Sequence, residues 1–210
     1  QNLGYKIGIL DADIHGPSLS KLVGINEKPK SEDGKFLLPI KKYDAQCMSM
    51  SFLVDETTPM IWRGPMVISA LKTLTQKVLW KDLDFIIIDM PPGTGDAQLT
   101  FAQEIKVDGA IIISTPQDLA LIDVKRGIQM FDKTGIKTLG LVDNMSYFKG
   151  DDNKKYNIFG ENKVEKTAED FNKKFLGEIP LNLDLRKSVD EGFPLTKANP
   201  KHEISLIYQE

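Results

Sequence analysis

Acidic residues follow short apolar runs at several points along this chain. The stretch FIIIDMPPGTGD places Asp89 directly after four apolar residues, and Asp96 follows a Pro-Pro-Gly turn. Asp11 and Asp13 come at the end of another apolar run, in KIGILDAD. A carboxylate at the end of a buried strand, followed by a glycine turn, is typical of nucleotide hydrolases, which use it to hold Mg²⁺ and to sense a γ-phosphate. The pattern therefore favours phosphoryl chemistry on a nucleotide.

Each of these carboxylates also has a purely structural explanation, because an Asp at a strand end commonly forms a turn or caps a helix. Three predicted strand ends carry polar residues, in the stretches LDAD, DMPPGTGD and VDNMS. Ligands of parallel sheets bind outside the carboxyl ends of the strands. Three polar strand ends on one edge of a sheet therefore favour a nucleotide site over three unrelated turns.

The chemistry predicts a different task for each residue. Asp89 directly ends its strand, so it is expected to hold Mg²⁺ through a water molecule. Asp13 precedes a Gly-Pro turn and is expected to orient an attacking water, while Asp11 holds either the magnesium shell or Asp13 itself. Gly93 and Gly95 allow the backbone to approach a phosphate closely, because no side chain stands in the way.

A phosphate-cradling loop is the part that such an enzyme also needs. Its usual pattern, G-x-x-x-x-G-K-[ST], occurs nowhere in the 210 residues. These 210 residues therefore contain the carboxylates expected of a nucleotide site but not the loop that would bind the triphosphate.

The elements that must position these residues alternate between strand and helix. Short, continuous, branched apolar runs predict buried parallel strands at 6–10, 84–88, 109–114 and 137–144. Helical patterns lie between them at 64–80 and at 118–135, where Asp118 is the expected N-cap and Gly135 the expected stop. This order predicts a single α/β domain over 1–210, with a mostly parallel sheet and helices on both faces.

Two segments interrupt that alternation. Within residues 26–60, NEKPKSEDGK is expected to be a polar loop and FLLPIKKYDAQCMSMSFL a small β-hairpin insertion. The charged stretch KGDDNKK at 149–155 is expected to be a mobile loop. The rest of the chain predicts a helix near 161–174, a strand at 174–180 and two further short helices.

Composition limits the classes of partner and compartment. The formal net charge of −3 gives no electrostatic reason to expect nucleic acid or an anionic membrane surface. No apolar run approaches the roughly 20 residues of a membrane span. The single cysteine, Cys47, excludes an internal disulfide framework and suits a reducing compartment, so we expect a cytoplasmic protein.

Five motifs, in this order and spacing, resemble the Mrp/ApbC family of ATP-binding iron–sulfur cluster carriers. They are GILDADIHGPS, IWRGPMVISAL, DFIIIDMPPGTGDAQLT, STPQDLALIDVKRGIQMF and NMSYF…IFG, and they cover nearly the whole chain. The family belongs to the deviant-Walker-A group, which also contains the MinD and ParA ATPases. The resemblance implies a P-loop fold, Mg·ATP as cofactor, a homodimer, and iron–sulfur apoproteins or other cluster carriers as partners.

The resemblance also implies roles for individual residues. Asp13 matches the carboxylate that positions the hydrolytic water, Asp11 is its near neighbour, and Asp89 matches the Walker B acid. The segment from Gly93 to Asp96 matches the switch that responds to the γ-phosphate.

Two more positions match residues that surround the adenine in the family. Asn144, expected to end its strand in DNMS, matches the asparagine that hydrogen-bonds the base. Pro180, in GEIPL, matches the place where a backbone turn closes over the base.

The family places a strand, the loop G-K-G-G-V-G-K-S-T and a helix immediately before the segment that matches 5–13. This chain starts at Gln1, and QNLGYKIGILDAD is typical of a helix end, a turn and a strand. We therefore expect an N-terminally truncated chain that has no ATPase activity by itself.

Cluster-carrying members of the family usually place C-x-x-C just after NMSYF, where this chain has KGDDNKK. Iron–sulfur clusters are held by thiolates, and Cys47 lies in an alternating apolar stretch that predicts a buried structural residue. The missing pair argues against direct carriage of a [4Fe–4S] cluster. Two alternatives stay open: a MinD/ParA-like positioning ATPase, and a non-catalytic scaffold that has lost the phosphate loop.

Overall fold

The branched apolar runs of the sequence form the strands of two sheets. The computed structural model describes residues 2–13, 16, 18–53, 64–93 and 95–210. The chain divides into two units, the first made of Gln1–Pro92 and Asp184–Gln209, the second made of Gly93–Leu183 with Glu210.

The sheet of the first unit has four strands in the order β2-β3-β1-β4. They are β1 (Ile7–Asp11), β2 (Ile40–Lys42), β3 (Ala45–Ser49) and β4 (Phe85–Asp89). β1 pairs in parallel with both β3 and β4, whereas β2 is antiparallel to β3. The predicted hairpin is thus formed by β2 and β3, and β3 joins it directly to the parallel strands.

Helices of the first unit are mostly short. They are α1 (Leu19–Leu22), a 3-10 turn at Met50–Phe52, α2 (Gly64–Gln76), α6 (Leu183–Asp190, of which all but the first residue belong to this unit), α7 (Leu195–Ala198) and α8 (Glu203–Ile207). α2 ends four residues before its predicted end, because the backbone of Lys77 and Leu79 bonds instead to Leu37. The chain ends in three short helices where two were predicted.

Three sulfur-containing side chains of this unit are fully buried. Cys47, Met48 and Met50 are each no more than 2% exposed, and they are buried together with Leu10 and Leu74. The prediction that Cys47 is a buried structural residue is confirmed.

The second unit is built around β6 (Thr138–Lys149), which pairs in parallel with β5 (Ala110–Ser114) and β8 (Phe175–Leu181). Three helices, α3 (Asp96–Glu104), α4 (Asp118–Thr134) and α5 (Lys163–Asp170), complete it together with β7 (Lys155–Tyr156). The core between α4, α5 and the sheet consists of Leu121, Val124, Ile128, Leu141, Val164 and Ala168. The expected α/β fold with parallel strands is confirmed.

The ends of α4 test two capping predictions. Gly135 takes the left-handed conformation, with φ of +74°, and stops the helix as predicted. The predicted N-cap is wrong by one residue, because Gln117 holds the cap position and Asp118 is the first helical residue. The Asp118 carboxylate instead accepts a 2.8 Å hydrogen bond from Lys163 Nζ of α5.

The stretch KGDDNKK forms the hydrogen-bonded turn of a hairpin between β6 and β7, and its expected mobility stays a prediction. β6 runs on to Lys149 and pairs antiparallel with β7. Gly150 N–H donates to the Lys154 carbonyl at 3.0 Å, and the Asp152 carboxylate accepts from Lys154 N–H and from the Tyr156 hydroxyl. Composition alone could not indicate this turn, because its hydrogen bonds require an aspartate at position 152 in particular.

Several apolar side chains of the strands remain exposed. Phe85, Ile86 and Ile87 of β4 are exposed, as are Ile111 and Ile113 of β5. Within the described ranges, β4 pairs only with β1 and β5 pairs only with β6. Strands of parallel sheets are normally covered on both faces. The exposed apolar surface of β4 and β5 is therefore of the type that a packed helix or strand would cover.

No helix among the described residues combines the length and the apolar character that crossing a membrane requires.

Gly140 in β6 packs too closely against β8 for any side chain. A Cβ atom there would lie 2.5 Å from Leu176 Cγ and 2.8 Å from the Lys174 carbonyl oxygen. Gly140→Ala is expected to lower the free energy of unfolding by roughly 1–3 kcal/mol, because the backbone oxygen cannot move aside. Urea unfolding measures this as a lower midpoint at unchanged slope.

Gly127 in α4 is the matched control for this substitution. Its added Cβ would meet only Ile112 Cδ1, at 4.0 Å. Gly127→Ala is expected to raise stability by up to about 1 kcal/mol, since Ala favours the helix. Equal effects of the two substitutions would contradict the packing described for Gly140.

Candidate functional site

Asp11, at the end of β1, is buried with its carboxylate fully bonded. It is 1% exposed. Its Oδ1 accepts the Asp13 N–H at 3.1 Å, and its Oδ2 accepts from the N–H groups of Ser18 and Leu19 and from Ser49 Oγ, at 3.0–3.1 Å. Asp11 therefore holds the turn that carries Asp13, which is one of the two roles left open by the sequence.

Asp13 is half-buried in the turn that follows β1. Its Oδ1 accepts the Gly16 N–H at 3.2 Å. A Cβ on Gly16 would lie 3.4 Å from Asp13 Oδ2. Asp13 is thus bonded to Gly16 through its side chain and to the buried carboxylate of Asp11 through its backbone N–H.

Asp89 ends β4 in register with Asp11 on β1, and the Ala12 N–H donates to the Asp89 carbonyl at 2.9 Å. Partial loss of water around its carboxyl raises the pKa of Asp89, and the negative charges of Asp11 and Asp13 raise it further. The structure therefore brings these three predicted carboxylates to one edge of the first sheet. A cation at this edge would relieve their mutual repulsion.

The donor set at this edge fits a particular kind of metal binding. Within the described part of the chain, no group of three or more His, Cys, Asp or Glu side chains could hold a metal ion. Mg²⁺ does not require one, since it keeps several waters and is typically bound by one or two carboxylates and by substrate phosphates. The residues present fit Mg²⁺ arriving with a nucleotide.

The Gly93–Asp96 segment leads into α3 in the second unit. Gly93 has φ of +93°, which favours glycine, and Gly95 is the residue before the first helical turn. Asp96 begins α3, but its side chain lies outside the described residues.

Asn144 does not end its strand, so that prediction is wrong. β6 continues to Lys149 through a bulge that follows Asn144, where Met145 has φ of +54°. Asn144 is half-buried and lies in register with Ile179 of β8. The bulge bends the strand and lets it extend into the hairpin, which the apolar pattern alone could not indicate.

Pro180 lies inside β8 and not in a turn, which corrects the second expectation about the adenine position. It is buried, and it precedes Leu181, which pairs with Phe148 of β6. Both adenine-related residues thus flank the irregular pairing of β6 with β8, although neither has the predicted local conformation.

Asp143 is a buried acid that sequence reasoning passed over. It is 2% exposed, and its Oδ1 has no hydrogen-bond partner among the described residues. Burial, and then the charge of Glu178, raises its pKa to about 6. It pairs in register with Ser114 of β5 and with Glu178 of β8. An Asp within the apolar run LVDN was the signal available in the sequence.

Cys47 and His202 occupy structural positions. Burial raises the pKa of the Cys47 thiol to about 11, so the thiolate that metals require is disfavoured. His202 caps α8 by accepting the Ile204 N–H at Nδ1, and its Nε2 lies 3.4 Å from Asp184 Oδ2.

A family model described as ParA: NUBPL iron-transfer P-loop NTPase matches residues 1–210. The chain belongs to this family. The resemblance found in the five sequence motifs is thereby confirmed.

Named relatives of this chain come from plants, bacteria and animals. The chain is 47% identical over 206 residues to an iron–sulfur protein required for NADH dehydrogenase, mitochondrial, from Arabidopsis thaliana. It is 45% identical over 209 residues to the iron–sulfur cluster carrier protein of Escherichia coli K12, and 42% identical over 203 residues to the iron–sulfur cluster transfer protein NUBPL of Mus musculus. These matches cover 96–99% of this chain but only 57–66% of the relatives' lengths.

Solved structures of similar proteins agree on the fold. A nucleotide-binding protein from Archaeoglobus fulgidus in complex with ADP is 36% identical, with a TM-score of 0.78 over 91% of this chain and 75% of that one. The septum site-determining protein MinD from Pyrococcus horikoshii, complexed with Mg-ADP, gives a TM-score of 0.67 at 17% identity over 99% of this chain and 82% of that one. At that identity the second likeness concerns the fold alone.

Proposed function

We propose that this chain, joined to a phosphate loop of the family's kind, binds Mg·ATP and hydrolyses it slowly. Its nucleotide state then controls iron–sulfur cluster transfer to apoproteins. One observation carries the proposal: the carboxylates of Asp11, Asp13 and Asp89 share one strand edge, where their like charges favour a cation.

Each residue at this edge has a distinct proposed role. Asp89 holds Mg²⁺ through a water molecule, and Asp13 orients the water that attacks the γ-phosphate. Asp11 fixes Asp13 through the bond to its backbone N–H. Bound magnesium neutralises the charge that develops on the phosphate oxygens.

The other predicted positions take the roles that the family resemblance implies. The Gly93–Asp96 segment responds to the γ-phosphate, because backbone without side chains can approach it closely. Asn144 hydrogen-bonds the adenine, and the backbone at Pro180 closes against the base.

The phosphate loop is proposed to lie on an additional strand beside β4. The exposed Phe85, Ile86 and Ile87 support this placement, since β4 is paired only with β1 among the described strands. A parallel strand on that edge would bond the unpaired backbone and cover the apolar side chains. In the family, the strand that carries the loop stands at the centre of the sheet.

The test compares two proteins. One is the 210-residue chain, and the other, the extended chain, carries the family's strand, phosphate loop and helix at its N-terminus. We expect magnesium-dependent ATP hydrolysis by the extended chain and none by the chain alone, because most phosphate-binding donors come from the loop. An inactive extended chain that is folded would favour the non-catalytic scaffold, and turnover by the chain alone would show that another loop binds the phosphates.

Iron is expected to act as cargo held elsewhere, because the hairpin at 149–156 supplies no thiolate. A [4Fe–4S] cluster bridging two subunits needs about four thiolates. Anaerobic reconstitution with iron and sulfide should therefore leave less than one cluster per dimer, and Cys47→Ser should leave the iron content unchanged. A stoichiometric cluster that depends on Cys47 would contradict this prediction.

The remaining parts of the proposal concern the assembly and its location. We propose a homodimer that acts in a reducing compartment, the cytoplasm, on iron–sulfur apoproteins or on other cluster carriers. The names of the relatives support the choice of partners, and the single buried cysteine suits the compartment.

A further inference from the structure

Gln98 of α3 has a buried polar side chain, and the proposed function assigns it no role. It is 9% exposed, and it is the third residue of a helix that begins at Asp96. A buried side-chain amide normally has hydrogen-bonding or polar partners in the protein, because it has lost those in water. The other glutamine of α3, Gln103, is exposed.

The two polar atoms of Gln98 face the two glycines that precede the helix. A Cβ built on Gly95 would lie 3.4 Å from Gln98 Oε1, and one built on Gly93 would lie 3.7 Å from Nε2. The amide therefore runs alongside the turn. A glutamine at the third helical position that reaches back to the helix start is one half of a capping box.

The turn has a glycine at each of its two described positions, Gly93 and Gly95. Gly93 and Gly95 have no side chains, and glycine loses more conformational freedom on folding than any other residue. Gly95 contributes no side-chain cap to α3. A neighbouring group must therefore restrict the turn if the turn is to meet a ligand in one defined geometry.

We propose that Gln98 is a positioning residue that holds the Gly93–Gly95 turn at the start of α3, so that the turn meets a γ-phosphate in one conformation. The inference rests on the proposed function, in which this turn responds to the γ-phosphate. Gln98 acts through the turn and touches no phosphate itself.

Hydrogen exchange of the Leu99 amide tests the structural half of the inference on the 210-residue chain. The Leu99 N–H donates to the Gly95 carbonyl at 3.0 Å, so its protection reports on opening of the turn. Gln98→Ala should lower the protection factor by about tenfold, the order expected when a buried polar partner is lost. Because Ala favours a helix more than Gln does, helix propensity alone would raise the protection.

Two further variants make this exchange measurement specific. Gln103→Ala makes the same change on the exposed side of α3 and should leave Leu99 protected as in the parent. Gln98→Glu keeps the side-chain length and the oxygen that a capping box uses, so it should keep Leu99 protected as in the parent. Unchanged protection in Gln98→Ala overturns the inference, whatever the ATPase measurements show.

Kinetics of the extended chain test the functional half. Gln98→Ala should lower kcat for ATP by about tenfold, while the Kd for ADP, which has no γ-phosphate, stays within about twofold of the parent value. Unchanged kcat, or an equal loss of ADP binding, overturns the positioning role. If the parent extended chain hydrolyses no ATP, the proposed function fails, and the Leu99 exchange still decides whether Gln98 holds the turn.

Discussion

Replacing Asp13 by Asn in the extended chain is expected to lower kcat for ATP by roughly 100-fold or more, with ATP binding retained. The size follows from removing a group that positions the attacking water and accepts its proton. Asn keeps the oxygen that accepts the Gly16 N–H, so the turn should survive the substitution. Steady-state kinetics and equilibrium binding of a non-hydrolysable ATP analogue separate the two effects.

Asp89→Asn is expected to act on binding as well. Loss of a carboxylate that holds magnesium through water should weaken magnesium-dependent ATP binding by about 10- to 100-fold. Because partial loss of water, and then the charges of Asp11 and Asp13, raise the pKa of Asp89, removing its charge should not destabilise the fold. An unchanged or higher melting temperature would therefore exclude unfolding as the cause of weaker binding.

Asp82 supplies the matched control for both substitutions. It is an exposed residue before the amino end of β4, with φ of +49°, a conformation that Asn tolerates well. Asp82→Asn should leave turnover and binding unchanged. If each of the single variants Asp13→Asn and Asp89→Asn keeps normal turnover, the strand-end acids serve only to form turns.

Asp143→Asn is expected to remove a large part of the dependence of stability on pH. The folded state raises the pKa of Asp143 from its ordinary value of 3.8 to about 6. Its contribution to stability is therefore fully present below pH 3.8 and is lost as the pH rises through about 6. The parent should lose up to roughly 3 kcal/mol relative to Asp143→Asn over this interval.

The groups around Asp143 decide how this prediction is tested. Glu178 of β8 faces it and has Lys155 Nζ at 3.6 Å, whereas Ser114 of β5 is uncharged. Urea unfolding of parent and variant between pH 4 and 8 should give curves that diverge as the pH rises. The stability curve of Asp151→Asn, a substitution in the exposed hairpin, should run parallel to that of the parent. If the curve of Asp143→Asn is also parallel to that of the parent, the raised pKa of Asp143 is contradicted.

Local patterns in the sequence were sufficient for the strands that carry the first group of carboxylates. β1 and β4 each have a short branched apolar run that stops at an acid, so Asp11 and Asp89 could be placed at strand ends without a structure. Their position on a common edge followed from parallel pairing, which the intervening helical patterns predicted. The family resemblance supplied the roles but not the contacts.

The features that escaped prediction depend on long-range packing. One of the four hydrogen bonds to Asp11 comes from Ser49, which is 38 positions away along the chain. The bulge after Asn144 and the placement of Pro180 depend on how β6 pairs with β8, which no local pattern encodes. The proximity of Gln98 to Gly93 and Gly95 could not be predicted, because glycines have no side chains from which a contact could be inferred.

The position of the bound metal tests the central claim most directly. Mn²⁺ can replace Mg²⁺ in the complex of the extended chain with a non-hydrolysable ATP analogue, and it broadens the NMR signals of nearby nuclei. We expect the strongest broadening at Asp13 and at Asp89, and only when both the metal and the nucleotide are present. Sharp signals at both residues, with broadening elsewhere in the chain, would contradict the assignment of this strand edge as the Mg·ATP site.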